Sequence, residues 1–152
     1  MKSMFGRWFE EFTKGVTISH SLSKTVTESD ATLFCLLTMN HHPLHLDAEY
    51  AKASQYGQRV VVGTYVFSLV VGLSVSDISG RAIANLNYEA IVHHAPVFIG
   101  DTLHAETTIL HTRPSATKPD RGIVTVETRA YNQSNLLVLS FRRTLLVPRH
   151  EA

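Results

Sequence analysis

The hydrophobic pattern of this chain changes period near residue 81. Before that point apolar positions recur mostly at helical spacing; after it they alternate as strands do. Within the first part, Val16 to Val26 alternates, with Val16, Ile18, His20 and Leu22 on one side, and predicts a first strand. Thr27-Glu28-Ser29-Asp30 then reads as a helix start. Thr27 can cap the free amides, and Asp30 stands three residues later as its capping-box partner. The helix is expected to reach about Thr38, with Ala31, Phe34, Cys35 and Thr38 on one face. Pro43 disfavours helix geometry at His42, so residues 39–46 read as a loop. Asp47 caps a second short helix, Ala48 to about Tyr56, ended by Gly57. From Thr64 to Ser76, Val66, Leu69, Val70 and Leu73 recur at helical spacing while Phe67, Val71 and Val75 cover the other side. A helix apolar nearly all round is expected to be central and buried, with Gly63 at its N-terminus.

Strands are expected at about 83–93, 102–114, 121–132 and 135–147, separated by turn chemistry at Pro96 to Asp101, Arg113 to Gly122 and Asn132 to Asn135. Residues 1 to 13, with Met4, Phe5, Trp8, Phe9 and Phe12, read as a short arm that covers something with its aromatics. The order is strand, helices, long helix, then four strands in meander. It predicts one α+β domain over 1–152, an antiparallel sheet packed on one buried helix.

Composition narrows the function classes. At 152 residues and 44% apolar, the chain is long enough for a sizeable core. Net charge is +1, and the basic residues are scattered, so nothing points to nucleic acid or an anionic membrane. Arg142-Arg143 marks a strand turning solvated, its two side chains on opposite faces. The one cysteine, Cys35, excludes an internal disulfide and thiolate-rich zinc, and reads as a buried small hydrophobe. Val60 to Val75 is too short and too interrupted to span a bilayer. With no charged start leading into an apolar run, a cytoplasmic protein without a membrane is the expectation.

Candidate chemistry concentrates in Asn40-His41-His42-Pro43-Leu44-His45-Leu46-Asp47-Ala48-Glu49-Tyr50-Ala51, titratable groups held between apolar runs. A metal site on His41, His42 and His45 is disfavoured. Pro43 breaks their spacing and Asp47 is better used as a cap. His93, His94, His104 and His111 read as ordinary surface or half-buried histidines, one of each pair facing the other side.

The same stretch, followed by Tyr50-Ala51, resembles the signature of the MaoC-like dehydratases, the (R)-specific enoyl-CoA hydratase family with the hotdog fold. Thr27-Glu28-Ser29-Asp30, Gly63 opening the long helix, and Pro96-Val97-Phe98-Ile99-Gly100-Asp101-Thr102-Leu103 agree with it in the same order. The resemblance covers roughly residues 6 to 147. It implies a sheet wrapped on the long helix and a homodimer or a multiple of it. It also implies a hydro-lyase that adds water to, or removes it from, an enoyl-CoA thioester. Coenzyme A would enter as part of the substrate, with no separate cofactor and no metal, in a role typical of fatty-acid metabolism.

By resemblance His45 is the family's catalytic histidine, while Asn40 stands where the family has an aspartate and His42 where it has an asparagine. Asparagine there is similar to the mesaconyl-CoA hydratase-like members. An amide can orient water but cannot take a proton at neutral pH. An imidazole, with an ordinary pKa of about 6.5, can. Catalysis is thus assigned to Asn40, His45 and the backbone of Gly63, whose helix N-terminus suits a developing oxyanion. Substrate contact is assigned to His42, Pro43, Val62 and Thr64. Arg81, Arg113, Lys118 and Arg121 are candidates to meet coenzyme A phosphates. A hotdog thioesterase and a non-catalytic acyl-CoA binder are the competing readings.

Overall fold

Residues 5–150 are described by a computed structural model; Met4 of the expected aromatic arm and the extreme ends lie outside it. The expected capping box forms: the Asp30 amide donates to Thr27 Oγ1 at 3.2 Å, and the Thr27 amide to Asp30 Oδ2 at 3.3 Å. These bonds open α1, Glu28–Thr38, which stops at Met39 in the left-handed region. Helix α2 is a single turn, Pro43–Leu46, where a loop is expected. Proline at a first helical position loses nothing, because its missing N–H would have no intrahelical partner there and its φ is already helical. Asp47 caps α3, accepting from the Tyr50 amide at 2.9 Å. This helix ends at Lys52, earlier than expected, and a run of turns leads to Gly57. Helix α4, Gly63–Ser74, runs on into one wider π-type turn, Val75–Ser79.

The first expected strand is two short ones, β1 (Thr17–Ser19) and β2 (Lys24–Thr25), both antiparallel to β4. Ser19 pairs with Glu106 and Lys24 with Leu103, so five residues on this side span three on β4. The slack follows from His20. Its side chain turns inward to meet Asp77 and Thr107, while Val16 and Leu22 are left exposed. The remaining strands fall close to expectation: β3 (Ala84–His93), β4 (Thr102–Pro114), β5 (Arg121–Tyr131) and β6 (Leu137–Pro148).

Their order corrects the expected four-strand meander. The sheet runs β1-β4-β5-β6-β3, all antiparallel where paired. One edge of β4 is taken by β1 and β2, so β3 pairs with β6, and residues 94–101 carry the chain from there to β4.

Helix α4 lays Val66, Val70 and Leu73 onto the sheet, where the Phe67 and Phe141 rings meet edge to face at 4.9 Å. The core around them includes Leu103, Ala105, Ala130 and Leu139. The helix is not buried all round, as its composition led one to expect: Thr64, Ser68 and Gly72 form an exposed stripe. A second core at the far end joins Ile109, Val124, Val126, Leu145 and Val147 to Phe12 of the arm, with Phe9 packed against it. Arg143 does not mark a strand turning solvated. It is fully buried, bonding Ser74 Oγ at 2.8 Å and Ser79 Oγ at 3.3 Å, while Arg142 pairs with Glu127 on the outer face. No helix among the described residues is long and apolar enough to cross a membrane.

Candidate active site

Three chain segments meet at the N-terminus of α4, and local bonds explain why. Asn40 Oδ1 accepts the His42 amide at 3.4 Å, and His42 Nδ1 accepts the Leu44 amide at 3.1 Å. Those two acceptors turn the chain into α2. The turn then docks on residue 60 at two points: the Val60 amide donates to the Leu44 carbonyl at 3.3 Å, and His45 Nδ1 lies 2.6 Å from the Val60 carbonyl. Val60 and Val61 are in turn tied to Phe98 and Val97, the latter through a 2.8 Å amide bond. Asp101 braces that wall by accepting the Phe98 amide at 2.8 Å.

The bond to Val60 decides the state of His45. A carbonyl oxygen only accepts, so Nδ1 carries the proton and the neutral ring keeps its lone pair on Nε2. His45 and Gly63 line one open cavity of about 320 Å³ together with Tyr56, Val66, His93 and His94. Val60, Val61 and residues 95–97 complete its wall. The amides of Tyr65 and Val66 both reach the Val62 carbonyl, whereas those of Gly63 and Thr64 have no partner inside the helix. The cavity therefore holds an acceptor nitrogen at one side and a free backbone donor, the Gly63 amide, at another. That combination can take a proton from water and stabilise negative charge on an oxygen.

Of the residues singled out in the sequence, the structure brings His45 and Gly63 together in this cavity. Asn40, His42, Pro43, Val62 and Thr64 do not line it. The first three build the turn that aims His45, Val62 is buried at the foot of α4, and Thr64 is exposed. None of Arg81, Arg113, Lys118 and Arg121 lines it either. Asp30 stays a cap: hydrogen bonds from Lys24 and Thr27 hold its carboxyl down at about 2. Nearby Tyr65 is pushed up to about 12, first by burial and then by the Asp30 charge. Among the described residues no three His, Cys, Asp or Glu side chains converge as a metal ligand set.

His93 and His94 correct the sequence reading, which set them on opposite faces. Both line the cavity. Val92 and His93 are paired in regular register with Ser140 and Leu139, but β3 ends at His93, so His94 lies past the strand and is not bound to alternate with it. Partial desolvation, then the neighbouring His94, lowers the pKa of His93. The signal that could have found it is its place three residues before Pro96, beside the loop that the sequence already marked.

The sequence profile of the mesaconyl-CoA hydratase family matches residues 2–152. A mesaconyl-CoA hydratase of Cereibacter sphaeroides is 36% identical over 151 residues, covering 99% of this chain and 44% of that protein. Among solved structures, one described as a MaoC domain protein dehydratase from Chloroflexus aurantiacus superposes with a TM-score of 0.93 at 31% identity. That match covers 99% of this chain and 43% of the other. A MaoC-like dehydratase from Rhodospirillum rubrum gives a TM-score of 0.85 at 28% identity, over 97% and 100% of the two chains. The chain thus spans less than half the length of the mesaconyl-CoA hydratases that it matches. With the profile running along nearly the whole sequence and the hotdog architecture shared, the chain belongs to the mesaconyl-CoA hydratase family of MaoC-like hotdog dehydratases.

Proposed function

We propose that this protein is a hydro-lyase that adds water across the double bond of an enoyl-CoA thioester, or removes it in reverse. The observation that carries this reading is the His45–Val60 bond, which leaves Nε2 as a proton acceptor in the cavity that Gly63 also lines. In the hydration direction, Nε2 takes a proton from water as the water oxygen bonds to the β-carbon. The π electrons move to the thioester, whose oxygen gains negative charge beside the Gly63 amide. The imidazolium then returns its proton to the α-carbon, so the net change is one water added. Asn40 acts at one remove, by shaping the turn that aims His45.

The acyl group is proposed to be short or branched and to carry a second polar function. The relatives are named for mesaconyl-CoA and β-methylmalyl-CoA, and the cavity wall offers His94 and Tyr56 with no carboxylate. The chain is further proposed to form a homodimer or a multiple of it through β3. The outer edge of β3 has no strand partner among the described residues, and Ile83, Leu86, Tyr88, Ile91 and Val92 are exposed on or beside it. Light scattering tests this, and a strict monomer at micromolar concentration would contradict it.

The activity is tested by following loss of the conjugated enoyl thioester with crotonyl-CoA, mesaconyl-CoA and longer homologues. Turnover that disappears in His45→Ala, with the fold retained by circular dichroism, is the expected result. No turnover of any substrate at high enzyme concentration refutes it. The non-proton-accepting Asn40 favours one competitor, an acyl-CoA binder without catalysis. Tight acyl-CoA binding with no turnover, even in Asn40→Asp, would establish that instead.

A further inference from the structure

His93 has a position that the proposed proton transfers through His45 do not use. A Cβ built on Gly63 would lie 2.9 Å from both Cε1 and Nε2 of His93. In a helix the Cα–Cβ bond tilts toward the N-terminus, the side on which the free amides open. The imidazole edge therefore stands beside the same amides, taking the space a side chain at residue 63 would fill. An oxygen seated on the Gly63 amide would have Nε2 of His93 as its neighbour. We propose that His93 is a substrate-contacting catalytic residue, the second hydrogen-bond donor to the thioester oxygen alongside the Gly63 amide. This rests on the hydratase reading given above.

Three features support the assignment. A proton acceptor at the double bond and a donor to the thioester oxygen act at different atoms of the substrate, and His45 and His93 reach the cavity from different elements, α2 and the end of β3. The three histidine rings at the cavity also differ in what binds them. His45 is tied to the Val60 carbonyl through Nδ1, and His94 to Ser140 Oγ at 2.8 Å through Nε2, whereas His93 makes no side-chain hydrogen bond among the described residues. Its donor is thus free for a ligand. The lowered pKa favours the neutral ring, which donates one N–H without bringing a full charge that would tighten ground-state binding.

The test substitutes His93→Phe, which keeps a flat ring against Gly63 and removes both nitrogens, and His93→Gln, which restores a donor. Loss of one oxyanion donor is expected to lower kcat on crotonyl-CoA by about 10²- to 10³-fold with KM little changed. His93→Gln should recover much of that loss. A second readout is equilibrium binding of acetoacetyl-CoA, followed by the absorbance of its enolate, which the wild-type site should favour and His93→Phe should not. Wild-type kcat in His93→Phe, a loss confined to KM, or a glutamine variant no better than phenylalanine would each overturn the proposal. If no enoyl-CoA is turned over by the wild type, the hydratase reading fails. The enolate signal then decides His93 separately: lost in His93→Phe it upholds the donor, unchanged it removes it.

Discussion

Gly63→Ala separates the catalytic reading of the α4 N-terminus from a purely structural one. The new methyl would lie 2.9 Å from the His93 ring, where carbon contacts relax at about 3.5–4.0 Å. The ring must therefore yield by roughly half an ångström or more. It can do so cheaply, because His93 is an exposed side chain at the end of β3 and not backbone. Alanine also favours helix over glycine by up to about 1 kcal/mol. The two effects oppose, so stability should stay within about 1 kcal/mol, a shift of about 2–4 °C in Tm for a chain of this size. Activity should respond far more. The methyl and the displaced imidazole would both intrude on the oxygen site proposed at the Gly63 amide, and losing one such donor costs about 10²–10³ in kcat, or 2.7–4 kcal/mol. Thermal melting by circular dichroism and steady-state hydration of crotonyl-CoA give the two numbers on one preparation. An unchanged Tm with kcat within threefold of wild type would refute the placement of the thioester oxygen. A Tm that falls by more than about 8 °C would show that glycine is needed there for folding.

Other outcomes follow from the packing. Gly122→Ala would set a methyl 2.2 Å from the Phe9 ring, so the arm must lift off the second core. A loss of about 1–3 kcal/mol in urea unfolding is expected, falling to near zero when Phe9→Ala is already present; equal losses in both backgrounds would refute the contact. Cys35 is 1% exposed and burial raises its thiol pKa. It should resist a thiol reagent in the native protein and react once urea unfolds the chain, whereas rapid native labelling would contradict its burial. Because the pKa of His93 is lowered on folding, the unfolded chain binds the extra proton first as pH falls. Its contribution to stability is complete above about pH 6.5 and declines as pH drops toward the folded value. His93→Phe should flatten the urea-midpoint profile in that window, by an amount kept small by the exposure of the ring; an identical profile would refute the desolvation.

Some of this protein was decided locally, and the sequence shows it. Thr27 with Asp30 and Asp47 with Tyr50 satisfy helix-end amides within three residues, so α1 and α3 begin where the residues say. Alternation in β4 and β5 survives because each strand buries one face continuously. The motif around His45 is likewise local, since the amide, proline and histidine that shape the turn are neighbours. What the tertiary structure decided depends on groups far apart in the chain. The proton position of His45 is set by a carbonyl fifteen residues away. The partner of β3 follows from which edge of β4 was already occupied. Arg143 reads as a surface charge until β6 lies against Ser74 and Ser79, 69 and 64 residues earlier. His94 joins His93 at the cavity because β3 ends at His93, so alternation no longer governs the residue after it. Gly63 was legible as a helix start with room for a ligand, but the ring that shares that room comes from the end of β3. Periodicity reports which face of an element is apolar, whereas long-range packing decides which groups meet across it.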